Sequence, residues 1–140
     1  MRYLGIDFGL KRIGLAITDP QGKVALAYKT LHKKNREELF TSILKIIEEK
    51  NVQAIVVGLP YGLEGQETLT TRQARNFSQS LKRRTGLPVH TCNEALSSQE
   101  AQNRLKAAGI KPGKLKDLLD QESAAVILES FLRSCQQTKT

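Results

Sequence analysis

The first nineteen residues, MRYLGIDFGLKRIGLAITD, constrain this chain most. In residues 2–8, Leu4, Ile6 and Phe8 alternate with Tyr3, Gly5 and Asp7. Residues 12–18 repeat the pattern, with Ile13, Leu15 and Ile17 against Gly14, Ala16 and Thr18. Period-two alternation predicts two strands joined by a turn that begins Asp7-Phe8-Gly9. A carboxylate where a buried strand ends is costly unless a cation, hydrogen bonds or a substrate stabilises it. Gly9 supplies backbone freedom, and Lys11 and Arg12 stand beside it, so one reading is metal or phosphate chemistry. The other is a satisfied Asp capping an ordinary hairpin. This segment alone leaves both open.

The remaining pattern predicts one α/β layer structure. Asp19-Pro20-Gln21-Gly22 carries a type I turn signal, and Val24 to Leu31 then forms a third antiparallel strand. Leu39, Phe40, Ile43, Leu44, Ile46 and Ile47 make an apolar stripe on a helix from Arg36 to Lys50, capped by Asn35. Ala54 to Val57 reads as a short, fully buried strand reached by a crossover. Tyr61 to Gln66 is a loop, 68–85 a helix, and Val89 to Cys92 a fifth strand. Ser97 with Glu100 suggests a capping box opening a helix to about Ala108. Residues 109–114 read as a loop, 116–133 as the last helix and 136–140 as a polar tail. The expected architecture is a five-stranded mixed sheet, three N-terminal strands antiparallel, with helices on both faces.

At 140 residues the chain is long enough for one core, here assigned to 1–135, and too short for two ordinary domains. No run approaches the ~18 apolar residues of a membrane span, and no leader-like segment precedes the first strand. Cys92 and Cys135 are far apart, which suits free thiols in a cytoplasmic protein. The net charge of +8, from 22 Lys and Arg against 14 Asp and Glu, favours polyanionic partners. The cations group at Lys29 to Arg36, Arg72 to Arg84 and Arg104 to Lys116. Aromatics are few and Trp is absent, so backbone contact is favoured over base stacking. His32 lies in a charge-rich loop and His90 within a strand, positions that favour structural or solvated roles.

Three acids fall where predicted elements begin or end: Asp7 after the first strand, Glu94 after the fifth, and Asp120 opening the last helix. At about 100° per residue, Ala124, Ile127 and Phe131 lie within about 40° of Asp120, which turns it toward the sheet. Glu122 faces the opposite way, and Asp117 lies on the stripe's flank. Small residues at 123–125 would let the helix approach and bring Asp120 near Asp7. Convergent carboxylates repel unless cations neutralise them, and an all-oxygen set selects Mg²⁺ or Mn²⁺ over zinc. The competing reading makes Glu94 and Asp120 simple partners of helix dipoles.

Asp7-Phe8-Gly9 with Arg12-Ile13-Gly14-Leu15-Ala16, then Val57-Gly58-Leu59-Pro60, Asn93-Glu94, and the run from Asp120 to Leu128 together resemble the YqgF family. These are RNase H-like proteins described as pre-16S rRNA nucleases and as Holliday-junction resolvase-like proteins. The resemblance covers Arg2 to Leu132 and keeps the order of elements. It implies an RNase H-like fold and a divalent-metal nuclease acting on the 5′ end of 16S rRNA, with Asp7, Glu94 and Asp120 as metal-binding catalytic carboxylates. Lys11, Arg12, Arg72, Arg75 and Lys82 would then hold the nucleic-acid backbone. The family's usual Asp-Glu-Arg is Asn93-Glu94-Ala95 here, so Ala95 would either weaken the site or leave the lost cation's work to Arg12 or Lys11. Asp117 is a candidate fourth ligand. Structured or branched DNA is the alternative substrate, a non-catalytic nucleic-acid-binding module the alternative class, and the protein would act as monomer or homodimer. An actin-like or sugar-kinase reading is set aside, because it needs two lobes to enclose ATP.

Overall fold

The structure is a computed structural model describing residues 1–94 and 97–138, without the side chains of 116, 117 and 136–138. Strands β1 (Tyr3–Phe8), β2 (Arg12–Thr18) and β3 (Ala25–His32) form the antiparallel meander. Helix α1 (Arg36–Lys50) returns the chain to β4 (Ala54–Leu59), which pairs parallel with β1. Helix α2 (Leu69–Thr85) leads to β5 (Val89–Asn93), parallel to β4, and the sheet order is β3-β2-β1-β4-β5. Two helices follow, α3 (Ser97–Ala107) and α4 (Pro112–Thr138).

Strand alternation divides the core in two. Leu4, Ile6, Phe8, Ile13, Leu15, Ile55 and Val57 face α1 and α2, meeting Phe40, Ile43, Phe77 and Leu81. The opposite face carries Gly5, Gly14, Ala16, Val56 and Gly58, and α4 lies on it through Ala124, Ala125, Ile127 and Leu128. Small residues on both partners bring helix and sheet close. A Cβ on Gly5 would meet the Ala124 carbonyl at 3.1 Å, and one on Gly14 would coincide with the Asp120 carbonyl.

Most predicted elements stand, with caps that explain them. Asn35 Oδ1 accepts from the amides of Glu37 and Glu38, and the Gly22 amide closes the turn on the Asp19 carbonyl at 3.0 Å. The last helix departs most. It starts at Pro112, inside the expected 109–114 loop, and runs through 136–138, which read as tail. Proline suits a first helical position, where its missing N–H costs nothing, and nothing in Gln136-Gln137 breaks a helix. Asp120 therefore lies two turns inside α4 rather than opening it. Ser97 is α3's first helical residue rather than its cap, and Glu100 turns to Arg104 at 2.9 Å. Glu122, expected in solvent, is only 23 % exposed and lies 4.0 Å from Arg104.

Gly14→Ala should destabilise the fold by about 3 kcal/mol, because the new methyl must displace α4's backbone from β2. Gly65→Ala, with open space but φ +81, should cost only about 1 kcal/mol. Urea unfolding of the two variants beside the parent checks the contrast.

Candidate active site

The parallel strands β1, β4 and β5 end on the same side of the sheet, at the point where the chain leaves β1 in one direction and β4 lies in the other. Clefts in open α/β sheets form at such switch points. Asp7 is the penultimate residue of β1 and points to the α4 face. Its cross-strand partners are Gly14 on β2 and Gly58 on β4, and Gly58 in turn pairs with Cys92 on β5. Asp7 thus has a glycine on either side.

Those glycines decide what Asp7 can reach. Strands two apart in a sheet stand about 9–10 Å apart, yet the Asp7 and Glu94 side chains share a hydrogen bond. Glu94 crosses over Gly58, where an added Cβ would sit 2.9 Å from its Oε2. On the other side, Gly14 admits the backbone of α4 at Asp120, and Asp120 adds its charge to the field at Asp7. The Asp120 carboxylate is 25 % exposed, with Oδ2 2.9 Å from Arg12 Nε. That N–H is not aimed at the oxygen, so the contact is an ion pair without a hydrogen bond.

The electrostatics follow from this burial. Desolvation raises the Asp7 carboxyl above its ordinary range, and Asp120 pushes the same way, while the hydrogen bond from Glu94 pulls it back. Glu94 is raised strongly, by desolvation first and then by the charge and hydrogen bond of Asp7. Burial pushes both acids toward the protonated form, and one proton between them would satisfy the shared bond. Cys92 is pushed up to about 11 by burial and by Glu94, so it remains a neutral thiol. Two acid oxygens, Glu94 Oε2 and Asp120 Oδ2, are buried without a hydrogen-bond partner.

The structure brings Asp7 and Glu94 into contact and places Asp120 beside them, tied to Arg12. Among the described residues no three His, Cys, Asp or Glu side chains already surround a common point. The dipole alternative fails for Asp120, since that effect is confined to the first helical turn. For Glu94 the partner is Asp7. Ala95 lies outside the described residues, as does the side chain of Asp117. Lys11 is exposed in the β1–β2 turn. Gly9 serves that turn by close approach, a Cβ there meeting the Arg12 carbonyl at 2.5 Å.

The helix α2 cations lie behind the sheet, on the face opposite to the Asp7 side chain. Arg72 is exposed near the end that follows β4, whereas Lys82 lies about 15 Å further along the helix. Arg75 is engaged by Glu67 and by the Tyr61 hydroxyl at 3.3 Å. His90 packs against Phe131, and His32 ends β3 in solvent. Sequence reasoning missed the pairing of Asp7 with two glycines. Its signal was present, because the hairpin register that sets Phe8 against Ile13 also sets Asp7 against Gly14.

Raised folded-state pKa values give a definite pH dependence. The unfolded chain releases the Asp7 and Glu94 protons first, so their contribution is intact below the ordinary carboxylate range. It is lost as pH climbs toward the folded values. Glu94→Gln, which keeps a donor toward Asp7 without the charge, should therefore raise the metal-free melting temperature at pH 8 by about 3–6 °C. At pH 4 it should change little. Thermal melts in a chelator at both pH values check this, and a lower melting temperature at pH 8 would refute the shared proton.

With this geometry in place, comparison with known proteins is informative. A family model described as "RuvX: Holliday junction resolvase" matches residues 1–134. A protein of Maridesulfovibrio salexigens named "Putative pre-16S rRNA nuclease" is 49 % identical over 132 residues, covering 94 % of this chain and 98 % of its own. One of the same name from Nitratidesulfovibrio vulgaris is 45 % identical over 140 residues, 100 % of this chain and 99 % of its own. Thermus thermophilus RuvC, solved with a Holliday junction substrate, superposes with TM-score 0.62 at 17 % identity, covering 99 % of this chain and 97 % of its own. The fowlpox virus Holliday junction resolvase gives 0.56 at 13 %, with 96 % and 99 % covered. These neighbours establish the RNase H-like fold. At this coverage and identity, the chain belongs to the RuvX family.

Proposed function

We propose that the protein is a nuclease that hydrolyses phosphodiester bonds in the 5′ processing of pre-16S rRNA, with Mg²⁺ or Mn²⁺ held by Asp7, Glu94 and Asp120. The observation that carries this reading is a half-buried acid pair at a strand-end switch point, with Glu94 Oε2 lacking a hydrogen-bond partner and Asp120 beside it. An uncompensated buried acid pair opposes folding, and a hard divalent cation is the neutraliser that an all-oxygen set prefers. The all-carboxylate chemistry of the set suits such an ion, and holding it would require the three acids, which do not already surround one point, to close on it. The substrate follows the name shared by relatives whose whole length this chain matches, and rRNA maturation would place the protein in the cytoplasm.

The chain's own contributions can be assigned. The glycines beside Asp7 leave it room to meet two other acids, and the sheet fixes its backbone. Glu94 is held over Gly58, and Asp120 is carried on a helix pressed against β2. Bound there, the ion would lower the pKa of an attacking water and stabilise the charge on the departing 3′ oxygen. Arg12, 35 % exposed and paired with Asp120, orients that carboxylate and offers a fork of donors to a substrate phosphate. Among the described residues no helix is long and apolar enough to cross a membrane.

Branched DNA is the second reading, favoured by the family model's own description. Resolving a junction symmetrically requires two sites related by a two-fold axis. A strictly monomeric protein that cleaves an rRNA precursor and leaves four-way junctions intact would exclude it.

With Mn²⁺ and a pre-16S transcript, Asp7→Asn should slow cleavage more than about a hundredfold, beyond the loss caused by removing a merely supporting residue at a metal site. Independently of turnover, Mn²⁺ at about 100 times its dissociation constant should stabilise the parent by about 2.7 kcal/mol. It should leave Asp7→Asn unchanged. Equal cleavage rates together with equal melting shifts would eliminate the mechanism.

A further inference from the structure

The end of β1 has a second face. Phe8 follows Asp7 and points to the opposite side of the sheet, where a cleft of about 380 Å³ opens between α1 and α2. That volume lies within the range of small-molecule sites, about 300–1,000 Å³. Its inner walls are aromatic: Phe8 and Phe77 are 5.2 Å apart between ring centroids, and Phe77 and Phe40 5.5 Å. Its rim is cationic, formed by Lys33 and Arg36 from the first basic group of the sequence.

Two observations mark these groups. Neither Lys33 nor Arg36 forms an ion pair among the described residues; Lys33 donates to the Gly9 carbonyl at 3.3 Å and lies 4.0 Å over the Phe8 ring, and Arg36 donates to Ser80 Oγ at 3.1 Å and lies 5.4 Å over the Phe40 ring. The nearby carboxylate of Glu37 is taken by Arg84 at 2.9 Å. Deeper in the cleft, Gln73 Oε1 is buried with no hydrogen-bond partner. A buried amide oxygen in that state costs about 1–3 kcal/mol until a donor reaches it. The cleft offers an apolar floor, an unmet acceptor and, at the mouth, two cations without a carboxylate partner among the described residues.

We propose that this cleft is a nucleotide-binding subsite, taking a base beside Phe8 and Phe77 with a donor to Gln73, and a phosphate at Lys33 and Arg36. Burial and the charge of Arg36 hold the Lys33 ammonium below the ordinary lysine range, and an anion at the mouth would relieve that. The inference deepens the nuclease reading, on which it rests for the ligand being part of a nucleic-acid strand. Asp7 would face the scissile phosphate on one side of β1, while a neighbouring unstacked nucleotide is held on the other. Contacts to phosphate set register, and a captured base favours a single-stranded or frayed segment beside the cleavage point.

The test is binding to metal-free protein in a chelator, with adenosine monophosphate and a single-stranded hexaribonucleotide as probes, read by amide chemical shifts and by anisotropy. Both should perturb amides in residues 33–40 and 73–77, and Lys33→Gln or Gln73→Leu should weaken binding about tenfold while circular dichroism is unchanged. Asp7→Asn should bind adenosine monophosphate as the parent does, which separates this proposal from the nuclease reading. Tighter binding of the hexanucleotide identifies a strand as the source, and equal binding a free nucleotide; either supports the subsite. Perturbations confined to other surfaces, or affinities that neither variant alters, would overturn it.

Discussion

The structure depends on how closely α4 can lie against β1 and its neighbours. Gly5, Gly14 and Gly58 face that helix, and Ser123, Ala124 and Ala125 answer them from it. Side chains in the glycine row would move the helix outward and fill the channels through which Glu94 and Asp120 approach Asp7. The same absence of side chains removes packing surface, so this face holds the smaller core, and the larger one lies under α1 and α2. Close approach and acid convergence are a single requirement, met at the expense of apolar contact and of burying carboxyls that prefer water. Natural proteins store such unfavourable arrangements at functional sites.

The chain's positive charge is less available than its total suggests. Arg104 is committed to Glu100 and Glu129 and lies within 4.0 Å of Glu122. Arg75 serves Glu67, and Arg84 serves Glu37 while lying 4.1 Å over the Phe40 ring. The +8 balance thus supports helix packing in part, as charges beside buried aromatic and apolar surface often do. Cations without ion pairs among the described residues at the strand-end side of the sheet include Lys11, Lys33, Lys34, Arg36 and Arg72. They surround the end of β1, where a nucleic-acid strand would cross to reach Asp7.

Much of this was legible in the sequence. Strict alternation named β1 and β2 and their faces, and the helical arithmetic turned Asp120 toward the sheet, where Ala124 and Ile127 are now found buried. The meander with a parallel extension followed from the order of elements. The start of α4 did not, because Pro112 and Gly113 signal a loop as readily as a first helical turn. The role of α2 was also obscured: Arg72, Arg75 and Lys82 share a helical face, but only topology shows that this helix lies behind the sheet. The Arg12–Asp120 pair joins residues more than a hundred positions apart, and no local rule announces it. Gln73 and Asn76 carried no signal at all, since an amide on a basic helix looks solvated until the cleft beside Phe8 is seen.

Strand alternation offers one economy that ties both sites together. Asp7 and Phe8 are neighbours in sequence and lie on opposite faces of one strand, separated by the sheet itself. A ligand group on the acid face and another on the aromatic face are therefore held in fixed relation by backbone hydrogen bonds on both sides of β1, with no loop involved. The turns at Gly9 and at 60–67 lie outside that ladder and can differ without altering that relation. The proposed nuclease site and the aromatic cleft thereby share a rigid edge. A polymer crossing it would be positioned mainly by spacing along its backbone, as suits a protein with few aromatic side chains and no tryptophan.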